Sequence, residues 1–154
     1  MAQTSLFEYL TLAPRDDAEG DAPLFVDLFN GLGGATQGAK DAGFTVHLAV
    51  DACPHMMRHY AKNHPTARYK MCMALPARAP LPLPRRGARW HLHGSPPCTH
   101  LSMANTRCAD EVKTKDQNLV RWFLCLAMDS HATTWTMEQV AAADVLCVLE
   151  GLKR

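Results

Sequence analysis

Cys98, Glu138, Asp51 and the glycines of Asn30-Gly31-Leu32-Gly33-Gly34 are the residues of this chain whose types and surroundings suit chemistry. Cys98 stands behind two prolines in HLHGSPPCTHLSM, residues 91–103, and its thiol can serve as a nucleophile, a metal ligand or a small buried apolar group. A glycine loop between a strand and a helix lets the backbone approach a ligand and present free N–H groups, or it simply makes a tight turn. Its spacing here is not G-x-G-x-x-G, and no G-K-[ST] follows, so neither the dinucleotide nor the phosphate-loop signature is met. Asp51 ends the next β-prone run, where an acid can accept hydrogen bonds from ribose hydroxyls or cap a helix. Glu138 closes a later β-prone run and suits proton donation as well as a plain surface position. His91, His93, Cys98 and His100, with Cys53 and His55, form a set of possible Zn²⁺ ligands. They lack a C-x-x-C pair and the glutamate and second cysteine of the zinc deaminase signature, so ordinary hydrogen-bonded histidines are expected and no metal is assigned.

These groups need elements to bring them together. Leu24 to Phe29 (LFVDLF) reads as a strand, Ala35 to Ala42 as a helix stopped by Gly43, and Thr45 to Val50 as a second strand. Pro54 suits the first turn of a helix running to about Asn63, which Pro65 ends. Strand, glycine loop, helix, strand, acid, helix is the order of an α/β domain with a parallel sheet. Tyr69 to Ala74 is a weaker third strand. The following loop, with Pro76, Pro80, Pro82, Pro84, Arg78, Arg85, Arg86 and Arg89, is expected to be extended and basic. Trp90 to His93 is a strand that leads directly into GSPPC and turns His91 and His93 to the same side. Ser102 to Lys115 reads as irregular, Asp116 to Met128 as a helix with Leu119, Val120, Phe123, Leu124 and Ala127 on one face, Thr133 to Met137 as a strand, and Ala142 to Leu152 as a short helix.

A chain of 154 residues, 47% hydrophobic and 20% charged with a formal charge of +1, has the composition of one ordinary globular domain. That balance does not by itself indicate nucleic acid, whose nonspecific binding calls for a Lys/Arg excess. The acidic start of the chain is no signal peptide and no apolar run is long enough to span a bilayer, so an intracellular protein without a membrane partner is expected. Five of the six cysteines, Cys53, Cys72, Cys108, Cys125 and Cys147, are expected to be mostly small buried hydrophobes rather than a disulfide framework.

Four segments, DLFNGLGGATQGAKDAGF (27–44), VDACPHMMRHYAKNHP (50–65), GSPPCTHLS (94–102) and MEQV (137–140), together resemble the cytosine-5 DNA methyltransferases, in that family's order. The resemblance implies a Rossmann-like α/β methyltransferase fold with a mostly parallel sheet, S-adenosylmethionine as cofactor and DNA containing cytosine as substrate. It implies that Phe29, Gly31, Gly33, Asp51 and Pro97 belong to the cofactor site, with Pro97 and Cys98 beside a flipped base. It makes Cys98 the nucleophile, Glu138 the contact to N3 and the exocyclic amine, and Gln139 and Ser102 supports of the cysteine loop. Gln139 replaces the family's usual Asn, Thr99 and Leu101 replace common Gln and Phe, and Met71, Cys72 and Met73 stand where an adenine-contacting acid is usual.

The resemblance further implies an extension over residues 1–23 and a partial catalytic domain over 24–154, with the fold incomplete at its C-terminus. The target-recognition region and later motifs would then come from a second subunit. The competing expectation is an inactive, methyltransferase-derived DNA- or protein-interaction protein.

Overall fold

The computed structural model describes residues 21–77, 80–101 and 110–151. Its elements alternate as β1 (Leu24–Leu28), α1 (Gly34–Asp41), β2 (Thr45–Asp51), α2 (Pro54–Asn63), β3 (Tyr69–Cys72), β4 (Trp90–Gly94), α3 (Asp110–Asp129), β5 (Thr134–Met137) and α4 (Ala143–Gly151). The five strands form one sheet in the order β3-β2-β1-β4-β5, and every pairing is parallel. The chain runs outward from β1 through β2 to β3, then returns to the other side of β1 for β4 and β5. That reversal opens a crevice at the carboxyl ends of β1 and β4, where open α/β sheets bind ligands.

Strand alternation divides the side chains between two faces. Val26, Leu28, Leu48, Val50, Trp90 and Leu92 form the main core with Val120, Phe123, Leu124 and Ala127 of α3 and Val145 and Val148 of α4. Across the sheet, Val46, Ala49 and Cys72 pack with Met57 and Tyr60 of α2 and with Ala67. His91 and His93 share a face, as their alternation requires, and stack on Phe25 with ring centroids 5.7 and 6.2 Å away. Gly94 ends β4 without a side chain because a Cβ there would come within 2.2 Å of the Phe123 ring.

The structure corrects the sequence reading in two places. The helix expected from about Asp116 starts at Asp110. Its polar first turns face water and need no apolar periodicity, while Asp110 and Glu111 complement the positive end of the helix dipole. Residues 102–109 of the stretch read as irregular, and with them Ser102, lie outside the described residues. Among the cysteines outside the Pro-Pro loop, Cys72 is buried as expected, but Cys53 is half-buried and Cys125 and Cys147 are exposed. The last two occupy the outer sides of α3 and α4, between residues that do face the core. Cys108 lies outside the described residues.

The loop before β4 is basic at Arg85, Arg86 and Arg89, all exposed, but it is not merely extended: Leu81 and Leu83 pack on the core and the Pro82 carbonyl meets His47 Nε2 at 2.9 Å. No helix among the described residues is long and apolar enough to cross a membrane.

Candidate active site in the crevice at the sheet edge

The first wall of the crevice follows β1. Phe29 takes a positive φ of 60° and sets its ring edge-on to Trp122, 6.2 Å away. Gly31 and Gly33 also have positive φ, 52° and 93°, the left-handed region in which glycine carries no Cβ penalty. Gly33 is tightly enclosed, since a Cβ there would lie 2.3 Å from His64 Nε2 and 2.9 Å from the Tyr60 ring. Beside Gly31 the corresponding space is open.

Asp51 holds this loop. Its Oδ2 accepts from the Gly31 N–H at 2.9 Å and its Oδ1 from the Cys53 N–H at 2.8 Å, joining the loop to the start of α2. A carboxylate offers about four acceptor positions, so two remain for a ligand. Asn30 is 7% exposed and its Oδ1 has no hydrogen-bond partner. The helix that follows has no side-chain cap, leaving N–H groups of its first turn unclaimed by a side chain.

Spare acceptors on Asp51, open space at Gly31 and an uncapped helix start suit a polar cofactor carrying a ribose. The β3 side offers Met71 and Met73, which pack partly buried against the core, and Cys72, whose thiol is pushed up by burial and then by the charge of Asp51.

Beneath the loop lies a buried polar chain that the sequence reading missed. Thr36 donates to Asp27 Oδ2 at 2.6 Å, so the Tyr60 hydroxyl, 2.9 Å from Thr36, is left to donate to Thr36. Asp27 is 1% exposed, and its Oδ1 has no partner. Burial raises its carboxyl to about 6, against the lowering effect of the Thr36 hydrogen bonds and with a further rise from Asp51. Burial also raises the Tyr60 hydroxyl. A single Asp within the apolar run LFVDLF was the available sequence signal.

Because the folded protein holds the Asp27 proton more tightly than the unfolded chain, whose carboxyl sits at 3.8, this group's contribution is full below 3.8 and is lost as pH rises through about 6. The loss is about 3 kcal/mol. Asp27→Asn cannot lose it. Urea unfolding should therefore show the stability of Asp27→Asn improving relative to wild type by about that amount between pH 4 and pH 7.5; a pH-independent gap between the two proteins would remove the assignment.

The second wall follows β4 and β5. Ser95 Oγ donates to Glu138 Oε2 at 2.5 Å, and the Glu138 N–H bonds the Gly94 carbonyl at 3.0 Å. The Ser95 N–H reaches the Leu28 carbonyl at 3.2 Å, tying this wall to β1. Gln139 Nε2 donates to the Pro96 carbonyl at 3.0 Å and lies 3.5 Å from that of Pro97. The extra methylene of glutamine, compared with asparagine, thus still reaches the cysteine loop. Pro97 is exposed and Cys98 half-buried.

The structure gathers Phe29, Gly31, Gly33, Asp51, Pro97, Cys98, Glu138 and Gln139 at one edge of the sheet, on the loops that follow β1, β2, β4 and β5. Ser95, also missed from sequence, belongs with them; its place in GSPPC was the signal. The alternative ligand set does not converge. His91 bonds Thr134 and Thr136, His93 bonds Thr136, and His100 bonds Asp116. Among the described residues no three or more His, Cys, Asp or Glu side chains group as metal ligands.

The family model of C-5 cytosine-specific DNA methylases matches residues 24–124. Among solved structures, the chain is similar to an E. coli prophage protein described as a DNA modification methyltransferase, with a TM-score of 0.56 and 20% identity, covering 84% of this chain and 38% of that one. It is also similar to the Entamoeba histolytica methyltransferase EhMeth, with a TM-score of 0.50 and 14% identity, covering 87% of this chain and 44% of that one. These likenesses show the fold, and the chain spans 38–44% of the length of the two structures. No curated protein matches it.

Proposed function

Because the chain belongs to the C-5 cytosine-specific DNA methylase family, we propose that it acts in methyl transfer from S-adenosylmethionine to carbon 5 of a flipped cytosine in DNA, with Cys98 as nucleophile and Glu138 as its proton-donating partner. Residues 24–154 are assigned to the catalytic domain and residues 1–23 to an extension. The observation that carries this reading is the double tie at the sheet edge, where Gln139 holds the carbonyl of Pro96 beside Cys98 and Ser95 holds the Glu138 carboxyl.

Phe29, Gly31, Gly33, Asp51 and Pro97 would hold the cofactor, with the free acceptor positions of Asp51 facing its ribose hydroxyls. When bound, S-adenosylmethionine supplies an electrophilic methyl group. Carbon 5 of cytosine is too weak a nucleophile to take that group directly. Addition of the Cys98 sulfur to C6 makes C5 enamine-like, and a hydrogen bond or proton from Glu138 at N3 relieves the charge that accumulates on the ring. Loss of the C5 proton to a base then lets the C6–S bond break and returns the thiolate. The cytosine must leave the stack to reach Cys98, so groups that position DNA complete the reaction. A second subunit could supply them.

The test is a mechanism trap. The natural full-length protein, with any co-purifying subunit, is incubated with S-adenosylmethionine and duplex DNA containing 5-fluorocytosine, whose fluorine blocks the last elimination. A covalent adduct whose peptide maps by mass spectrometry to Cys98 is the expected result. Absence of an adduct from folded protein that demonstrably binds both cofactor and DNA would remove the proposal.

A further inference from the structure

We infer that His100, oriented by Asp116, is the proton acceptor that prepares Cys98 for attack; the inference rests on Cys98 being the nucleophile proposed above. The Leu101 N–H bonds the Cys98 carbonyl at 3.0 Å, closing a β-turn that contains both Cys98 and His100. Both ends of the turn are held, since Leu101 is 5% exposed in the main core and Gln139 bonds the Pro96 carbonyl. His100 Nδ1 meets Asp116 Oδ2 at 2.9 Å, and Asp116 is 6% exposed within α3. A carboxylate can only accept, so Nδ1 carries the hydrogen and the lone pair of the neutral ring lies on Nε2. The His100 side chain is 37% exposed, and Nε2 has no hydrogen-bond partner among the described residues.

A cysteine, a histidine two residues later and a buried carboxylate on the far ring nitrogen supply nucleophile, base and orienting group. The thiol proton passes from Sγ to His100 Nε2, and the electron pair of the S–H bond remains on sulfur. That pair forms the S–C6 bond, while the Asp116 carboxylate balances the imidazolium. When the S–C6 bond breaks, its electrons return to sulfur and the proton returns from Nε2. No further reactant is needed.

The competing role for the pair is a clasp that merely pins the turn, and the two roles predict opposite signs. Site-resolved alkylation by iodoacetamide, followed by mass spectrometry on the whole chain at neutral pH, reads the thiol without DNA. His100→Gln keeps an amide donor for Asp116 but loses the base, and Asp116→Asn leaves the ring poorly oriented. Both should lower Cys98 alkylation about tenfold, with exposed Cys125 unchanged and buried Cys72 still protected as proof of folding. Unchanged or faster Cys98 alkylation in folded His100→Gln would overturn the inference. The trap reports separately: slowed alkylation without any fluorocytosine adduct in wild type keeps the base and removes the DNA reaction, whereas an adduct that forms equally well in His100→Gln removes the base and keeps the reaction.

Discussion

Serine in place of Cys98 is expected to slow formation of the covalent cytosine adduct by about a thousandfold or more, leaving unfolding midpoint and cofactor binding close to wild type. A thiol reaches its nucleophilic anion near neutral pH, whereas a serine hydroxyl remains protonated and needs far stronger activation. The effect should be confined to chemistry because the loop is held through its backbone. The Pro96 carbonyl is held by Gln139, the Cys98 carbonyl by the Leu101 N–H, and Leu101 is sunk into the core. None of these contacts uses the sulfur. Cys125→Ser supplies the control, an exposed thiol on α3 that the reaction does not require. The measurement is the rate of appearance of the DNA-linked band with 5-fluorocytosine substrate, and an undiminished rate in Cys98→Ser would end the assignment.

The second large effect is expected at Gly33. Gly33→Ala should destabilise the fold by about 3 kcal/mol and remove S-adenosylmethionine binding measurable by titration calorimetry. Two costs add. A Cβ at a φ of 93° is strained by about 1–2 kcal/mol, and it would lie 2.3 Å from His64 Nε2, 2.6 Å from its Cδ2 and 2.9 Å from the Tyr60 ring. His64 and Tyr60 are 3% and 0% exposed, so neither can withdraw into solvent. Displacing Tyr60 also disturbs its hydrogen bond to Thr36 and, through Thr36, Asp27.

Gly31→Ala is the matched comparison, with positive φ but nothing within 4 Å of its Cβ. It should cost only about 1 kcal/mol, from backbone strain alone. Equal urea midpoints for the two variants would show that the enclosure of Gly33 is not what matters.

Much of the architecture was legible from sequence because its signals are local. The apolar run LFVDLF, the glycine-rich turn, Pro54 at the start of α2 and the strand before GSPPC each depend on neighbours a few residues away. The four ordered segments likewise pointed to the family and to the edge of the sheet at which Asp51, Cys98 and Glu138 now stand. The start of α3 at Asp110 escaped because a solvated first turn shows no apolar period, and the exposure of Cys125 and Cys147 escaped because a small residue fits either side of a helix.

What only the tertiary structure decided are the contacts between distant residues: Asp51 with Gly31, 20 residues apart, Ser95 with Glu138 and Gln139 with Pro96, 43 apart, and His100 with Asp116, 16 apart. Residue type alone leaves an acid free to be a surface group, a cap or a clamp. The parallel register of β1, β4 and β5 and the close approach of α3 to Gly94 select one of these, because they fix which backbone groups and side chains lie within hydrogen-bonding distance.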